Sequence, residues 1–260
     1  MPDPFDIPES TAVFTEAYAV IPACTQRDIV SSILPGWSKM HMWVLARPLS
    51  GFAETFSQYA VYLAPSGGSD QPEEDETAQS VLFMADGSSC LTVEGQDHAL
   101  VPGSYAYIAP AAKWRIWNTT DMPCRFHWIR KRYSPVAGLA PPVSFVTSDK
   151  AVDALPMPGG DGRWLTTRFV DLADLAHDMH VNIVTFRPGG RIPFAETHVM
   201  EHGIYVLQGN AKYLLNTDWI SVAPGDFLWL RAFCPQACIA TGPELFRYLL
   251  YKDVNRHAPL

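Results

Sequence analysis

The sequence is thin in charge. Of its 260 residues, 18% are Asp, Glu, Lys or Arg, and acidic side chains outnumber basic ones 27 to 19. A formal net charge of −8 offers no electrostatic grip on nucleic acid or an anionic membrane, so neither is expected as a partner. No apolar run reaches the roughly 18–20 residues that a membrane helix needs. The opening "MPDPFDIPESTAVF" lacks the basic region and apolar stretch of a secretory signal, and a cytoplasmic protein is expected. Cysteines are few: Cys24, Cys90, Cys124, Cys234 and Cys238, an odd and scattered set. The last two are four apart, but no second pair completes a zinc knuckle, so reduced thiols in a core are expected. Helical periodicity is also scarce. "VDLADLAHDM" (170 to 179) is the best short helix candidate.

What the chain has instead is punctuation. Twenty-two prolines and seventeen glycines separate short runs rich in Val, Ile, Leu, Tyr, Phe and Trp, such as "SVLFMADG", "SYAYIAP", "GIYVLQG" and "FRYLLYKD". Evenly spaced strand and turn signals predict an all-β barrel or sandwich. The two halves resemble each other: Gly87 aligns with Gly209, and Pro102-Gly103 with Pro224-Gly225. Such a long-period repeat predicts two tandem β-domains, 1–150 and 151–260, with short helices. The Pro- and Gly-rich stretch "SPVAGLAPPVSFVTSDK" lies at the joint. The acidic stretch "SGGSDQPEEDETAQ" (66 to 79) reads as a solvated loop.

Chemistry concentrates in "RIPFAETHVMEHGIYVLQG" (191 to 209). A turn-like "RPGGRIP" before it and a β-rich run after it leave little room for a helix, against a helical His-x3-His metal pair. On a strand, Glu196 and His198 point the same way, and His202 joins them if a bend follows residue 199. Glu201 then faces the other way, as a structural or surface residue. The intervals Gly190-x5-Glu196-x-His198-x3-His202-x6-Gly209 resemble the first cupin motif, G-x5-H-x-H-x3-4-E-x6-G, with carboxylate and imidazole exchanged. In "VAPGDFLWLRAFCPQ", Gln236 stands where that family's second motif places a fourth ligand. Glu196, His198, His202 and Gln236 offer two nitrogens and two oxygens, suited to Mn²⁺, Fe²⁺ or Zn²⁺ and leaning towards Mn²⁺. The first half has no such set. Arg115 occupies the ligand slot there, and a guanidinium cannot bind a cation, so the first barrel is expected to be metal-free.

More specifically, the chain resembles the (S)-ureidoglycine aminohydrolase family, on "ILPGW", "RKRYSPVAGLAPP", "ExHxxxHG", "DxWISVAPGDFLWLRAFCPQ" and "YLLYKDVNR". The resemblance implies a bicupin that uses Mn²⁺ to release ammonia from (S)-ureidoglycine, giving (S)-ureidoglycolate in allantoin and purine catabolism. It implies Glu196, His198, His202 and Gln236 as metal ligands. It also implies Tyr213, Tyr248 and Lys252 as substrate contacts. Tyr248 and Lys252 lie an even step apart on a strand, so both can face inward. A buried Lys252 is suited to shuttling a proton, giving Lys252, Tyr248 and Glu196 as the candidate catalytic set. Asn182, on the strand before the metal motif, is a further candidate substrate contact. The remaining histidines read as core or surface. A homo-oligomer acting on a small molecule is expected. The competing readings are an Fe(II)-dependent cupin oxygenase and a non-catalytic bicupin that binds a small carboxylate.

Overall fold

The computed structural model describes residues 12–26, 33–48 and 52–253. His257 and the end of the "YLLYKDVNR" motif lie outside them. The described chain is almost wholly β. Two short strands come first, β1 (Val13–Phe14) and β2 (Tyr18–Ile21). One barrel is built from β3 (Ser38–Ala46), β4 (Ser57–Ser69), β5 (Ala78–Asp86), β6 (Ser89–Val93), β7 (Gln96–Leu100), β8 (Ser104–Ile108), β9 (Trp114–Trp117), β10 (Cys124–Arg132) and β11 (Phe145–Ser148). The other follows with β12 (Ala154–Pro156), β13 (Trp164–Arg168), β14 (Met179–Phe186), β15 (His202–Gln208), β16 (Ala211–Leu215), β17 (Asp218–Val222), β18 (Phe227–Leu230), β19 (Gln236–Ala240) and β20 (Phe246–Asp253).

The repeat seen in the sequence is a repeat of pairing. The first barrel orders its strands β4-β10-β5-β8 and the second β14-β20-β15-β18, all antiparallel. The aligned glycines share a conformation. Gly87 and Gly209 have φ of +69° and +71°, and a Cβ there would stand 2.5 Å from the Pro123 carbonyl oxygen and 2.3 Å from that of Leu245. Both a left-handed backbone and a close approach therefore require glycine. The outer edges are exchanged. β11, which precedes the second barrel, pairs with β8 of the first. β2, which precedes the first barrel, pairs with β18 of the second. Each barrel is thus completed by the segment that leads into the other, and β1 and β2 lie with the second sheet although they fall within 1–150.

The central strands of the second barrel, β14, β15 and β20, are packed on both faces. Along β14, Val184 and Phe186 point into its interior, whereas Met179, Val181 and Ile183 pack against the first barrel. β15 and β20 divide likewise: Ile204, Val206, Phe246 and Tyr248 face inward, and Leu249 and Tyr251 face the seam. This explains why the strands read as near-continuous apolar runs. Aromatic stacking crosses the seam, with ring centroids 3.9 Å apart for Phe56 and Tyr251 and 4.0 Å for Tyr105 and Phe169. Gly203 makes room for this: a Cβ there would lie 2.6 Å from Phe56.

Glu201 is buried at this seam, so the structural reading holds and the surface one does not. Its carboxylate accepts hydrogen bonds from the backbone N–H groups of Glu54 (3.1 Å) and Thr55 (2.6 Å), from the Thr55 hydroxyl, and from Trp229 Nε1 (2.9 Å). A buried charge needs such compensation. Two other expectations are corrected. Residues 170–178 form bends and turns, not a helix, with Met179 opening β14, and the short helices reduce to one 3₁₀ turn, Ala23–Thr25, among the described residues. Asp171 and Asp174 each accept a hydrogen bond from the backbone N–H two residues on, at 2.9 Å, and these side-chain bonds compete with helix formation. The 66–79 stretch is not a freely solvated loop. Residues 66–69 complete β4, and the Glu73 carboxylate is tucked against Arg130 at 2.6 Å.

Two predictions follow from the seam. Glu201→Ala strands the Trp229 and Thr55 donors and should cost about 3 kcal/mol. A thermal melt should show this as a midpoint lower by several degrees; an unchanged midpoint would show that these bonds contribute nothing net. His127, fully buried with its ring 4.0 Å from that of Tyr205, has its pKa pushed down to about 4 by burial. Its neutral form is favoured in the fold, so its contribution is complete above the unfolded value near 6.5 and is lost as pH falls from there towards 4. Stability measured by urea unfolding should fall over that window, by up to about 3 kcal/mol for this residue. In His127→Phe the slope should flatten; an equally steep slope would mean that another group carries it.

Candidate metal centre and active site

The structure places the four predicted ligands around one small cavity in the second barrel. Glu196 lies outside the named strands, in a single bridge to the start of β19: its N–H donates to the Gln236 carbonyl (2.9 Å), and the Gln236 N–H donates back (2.8 Å). Two residues on, the His198 carbonyl accepts from the Phe233 N–H at 2.6 Å. The chain then bends at residues 199–200, and His202 opens β15. This bend is what the spacing required for His202 to join the other two. His198 Nε2 stands 3.4 Å from Glu196 Oε1, and the two imidazole centroids are 5.1 Å apart.

The rest of the wall is set by strand alternation. Trp164, Thr166 and Arg168 of β13, Asn182 and Val184 of β14, and Tyr248, Leu250 and Lys252 of β20 all line the cavity, each two residues from the next on its strand. Tyr213 of β16 and Met157 complete it. Tyr213 donates its hydroxyl to Gln236 Oε1 at 2.8 Å, which fixes the amide with its oxygen towards the tyrosine. The cavity measures about 80 Å³, well below the roughly 300–1,000 Å³ typical of drug-sized ligand sites. Larger, open hollows of about 500 and 640 Å³ lie on the first barrel. Volume alone would favour them. The convergence of carboxylate, imidazole, amide and amine groups favours the smaller one.

Burial tunes these groups. It pushes the His202 pKa down to about 3, helped by the neighbouring His198 and Lys252, so this imidazole is held in the neutral form that offers a lone pair. Burial also drives the Tyr213 and Tyr248 hydroxyls well above the usual phenol range, keeping both as donors. It draws Lys252 below the ordinary lysine range, with the Arg168 charge adding to the effect and Glu196 opposing it. Among the described residues, no three His, Cys, Asp or Glu side chains stand drawn together in ligating geometry. The donor types around the cavity nonetheless fit a divalent cation of the Mn²⁺, Fe²⁺ or Zn²⁺ kind, with an amide oxygen as fourth donor.

Known proteins resemble this chain in sequence and fold. The family model described as Cupin domain matches residues 60–130 and again 182–251, one match in each barrel. An Escherichia coli (S)-ureidoglycine aminohydrolase is 32% identical over 89% of this chain and 87% of its own length. The chain belongs to the (S)-ureidoglycine aminohydrolase family of cupins. An Arabidopsis thaliana (S)-ureidoglycine aminohydrolase is 28% identical over 97% of this chain and 81% of its own. A crystal structure from Pseudomonas aeruginosa, of a protein named for induction by glyoxylate, is 63% identical. It superposes with a TM-score of 0.92 over 96% of this chain and 93% of that one.

Within the ureidoglycine aminohydrolase frame, all seven residues predicted from the motif and the resemblance line the cavity, and so does Asn182. Sequence reasoning missed Thr166, Arg168 and Met157. The signal was weak: "WLTTR" reads as a short strand two strands before the metal motif, and one of its alternate residues is a long cation. In the first barrel, Arg115 at the ligand slot is exposed and turns outward to Thr92 (Nε to Oγ1, 2.9 Å) and Asp97 (3.9 Å).

Proposed function

We propose that this chain is an Mn²⁺-dependent (S)-ureidoglycine aminohydrolase, releasing ammonia to leave (S)-ureidoglycolate in allantoin and purine catabolism, and that it acts in the cytoplasm as a homo-oligomer. One observation carries the reading. Glu196, His198, His202 and Gln236 share a cavity of about 80 Å³ with Tyr213, Tyr248 and Lys252, in a chain similar along most of its length to enzymes of that name. That volume suits a compact polar substrate. An Fe(II) oxygenase acting on an aromatic ring would need more room.

Glu196, His198, His202 and Gln236 would hold the cation, which when bound supplies a Lewis-acidic anchor that orients the substrate and polarises it. The reaction breaks the bond from the central carbon to its amine nitrogen and forms a bond from that carbon to a water oxygen. The amine must gain a proton and the water must lose one. Lys252 can perform this exchange, because burial and the Arg168 charge bring its titration closer to neutrality. Tyr248 and Tyr213 remain protonated and donate to the ureido or carboxylate oxygens. Asn182, 2% exposed, adds an amide able to pair with the ureido group. β14 and β20, which carry Asn182, Tyr248 and Lys252, are packed on both faces, so the substrate meets a preorganised wall there.

Ammonia release from freshly generated ureidoglycine tests the reading directly. Chelation should abolish activity, and Mn²⁺ should restore it better than Fe²⁺ or Zn²⁺. Glu196→Ala should lower the rate by more than the roughly 10–100-fold expected for losing an outer-shell partner, and elemental analysis should find its manganese depleted. If wild type and Glu196→Ala are equally inactive with Mn²⁺ supplied, the chain is not this enzyme. Carboxylate binding without turnover would then favour the non-catalytic bicupin.

A further inference from the structure

In the scheme above Arg168 acts only through its charge on Lys252, yet it lies in the cavity wall itself. On β13, Trp164, Thr166 and Arg168 share one face, and all three line the cavity. The antiparallel register places Arg168 opposite Asn182 on β14, and Asn182 opposite Leu250 on β20, two residues before Lys252. Three polar side chains from neighbouring strands, Arg168, Asn182 and Lys252, therefore look onto one small space.

The guanidinium is half-buried there without an acidic partner among the described residues. Its contact is a hydrogen bond to the Met157 thioether, 3.1 Å from Nη2 to Sδ. A thioether is a weak acceptor and carries no charge. Other arginines in the protein behave differently: Arg130 meets Glu73 at 2.6 Å, Arg247 meets Asp149 at 2.7 Å, and Arg163 meets Asp161 at 2.5 Å. The charges around the cavity repeat the point. Arg168 and Lys252 are both cationic, and Glu196 is the one carboxylate among the lining residues. A bound divalent cation would add to the positive excess. A cationic wall with an unsatisfied planar donor fork is built for a carboxylate, which it can grip through two parallel N–H bonds.

We infer that Arg168 is the carboxylate-binding residue of this cavity, and that its grip on the substrate's acid group decides which acids and which enantiomer the site accepts. The inference rests on the proposed reaction for the identity of the acid, but not for the presence of a carboxylate site. With the carboxylate held at β13, and the reacting carbon turned towards β20 and the Glu196–His202 side, an α-substituted acid is fixed at three points. The mirror-image molecule could then place its amine or its ureido group correctly, but not both.

The experiment uses the manganese-loaded protein and two stable probes: N-carbamoylglycine, which has the acid but no leaving amine, and its neutral amide, N-carbamoylglycinamide. Calorimetry on the wild type should show the acid bound about 10- to 100-fold more tightly, the usual range for a charge-assisted hydrogen-bond pair. Arg168→Gln should lose that preference while binding the amide as before. Arg168→Lys should keep part of it, since the charge remains and the fork is lost. Turnover of ureidoglycine by Arg168→Gln, compared at each protein's own pH optimum because the Arg168 charge also lowers the Lys252 pKa, should show KM raised roughly tenfold or more, with kcat changed far less, and weaker discrimination between enantiomers. The inference is overturned if the wild type does not prefer the acid, a result that needs no variant to fold. It is equally overturned if Arg168→Gln weakens acid and amide alike, or neither. Acid preference intact with no ammonia released by the wild type would sink the proposed reaction and leave the carboxylate site standing. Ammonia release with no acid preference would do the reverse.

Discussion

The second barrel depends on one sheet being packed on both faces. Its inner side lines the cavity, and its outer side is half of the seam between the barrels. Because side chains alternate along a strand, neighbouring residues belong to different interiors. His202 looks into the cavity while Glu201 before it and Gly203 after it serve the seam. A shift of one residue in register would put a carboxylate among the ligands and an imidazole among the stacked aromatics. The seam therefore holds the active-site geometry in place, although none of its residues touches the cavity.

That arrangement also accounts for the electrostatics. Side chains on both sides of the sheet are largely buried, so polar groups along it must find partners or change protonation. Glu201 finds four donors. His202 stays neutral, Tyr213 and Tyr248 stay protonated, and Lys252 becomes easier to deprotonate. The first barrel repeats the frame with different side chains. Ser80, opposite Ile108 and Arg130, stands where His202 stands opposite Leu230 and Lys252, and Arg115 is an exposed cation paired on the surface.

Much of this was legible in the sequence, because it depends on local rules. The turn glycines announced the repeat, since a left-handed φ against a nearby carbonyl leaves little alternative to glycine at Gly87 and Gly209. Glu196, His198 and His202 meet as their spacing predicted because strand alternation and one bend suffice to bring them to the same cavity. The failures were non-local or competitive. "VDLADLAHDM" has helical spacing, but two aspartates bind their own backbone and close turns first. Glu201 was ambiguous because its donors lie on the 54–55 turn and on β18, far away in sequence. Arg168 was passed over because nothing local distinguishes a cation facing a cavity from one facing solvent. The pairing of β2 with β18 had no sequence signal at all.

That exchanged pairing has a consequence for how the molecule is made. β2 is synthesised early, yet its partner strand ends at Leu230, so Val20 must wait for Leu228 to leave the ribosome. The first barrel has a shorter delay, since β11 follows soon after its own strands. Closing so long a loop is entropically slow, and pairings distant in sequence retard folding. The sheet of the second barrel cannot be completed until β18 has joined β2. Until it does, an unpaired apolar strand at each end of the nascent protein is open to wrong partners.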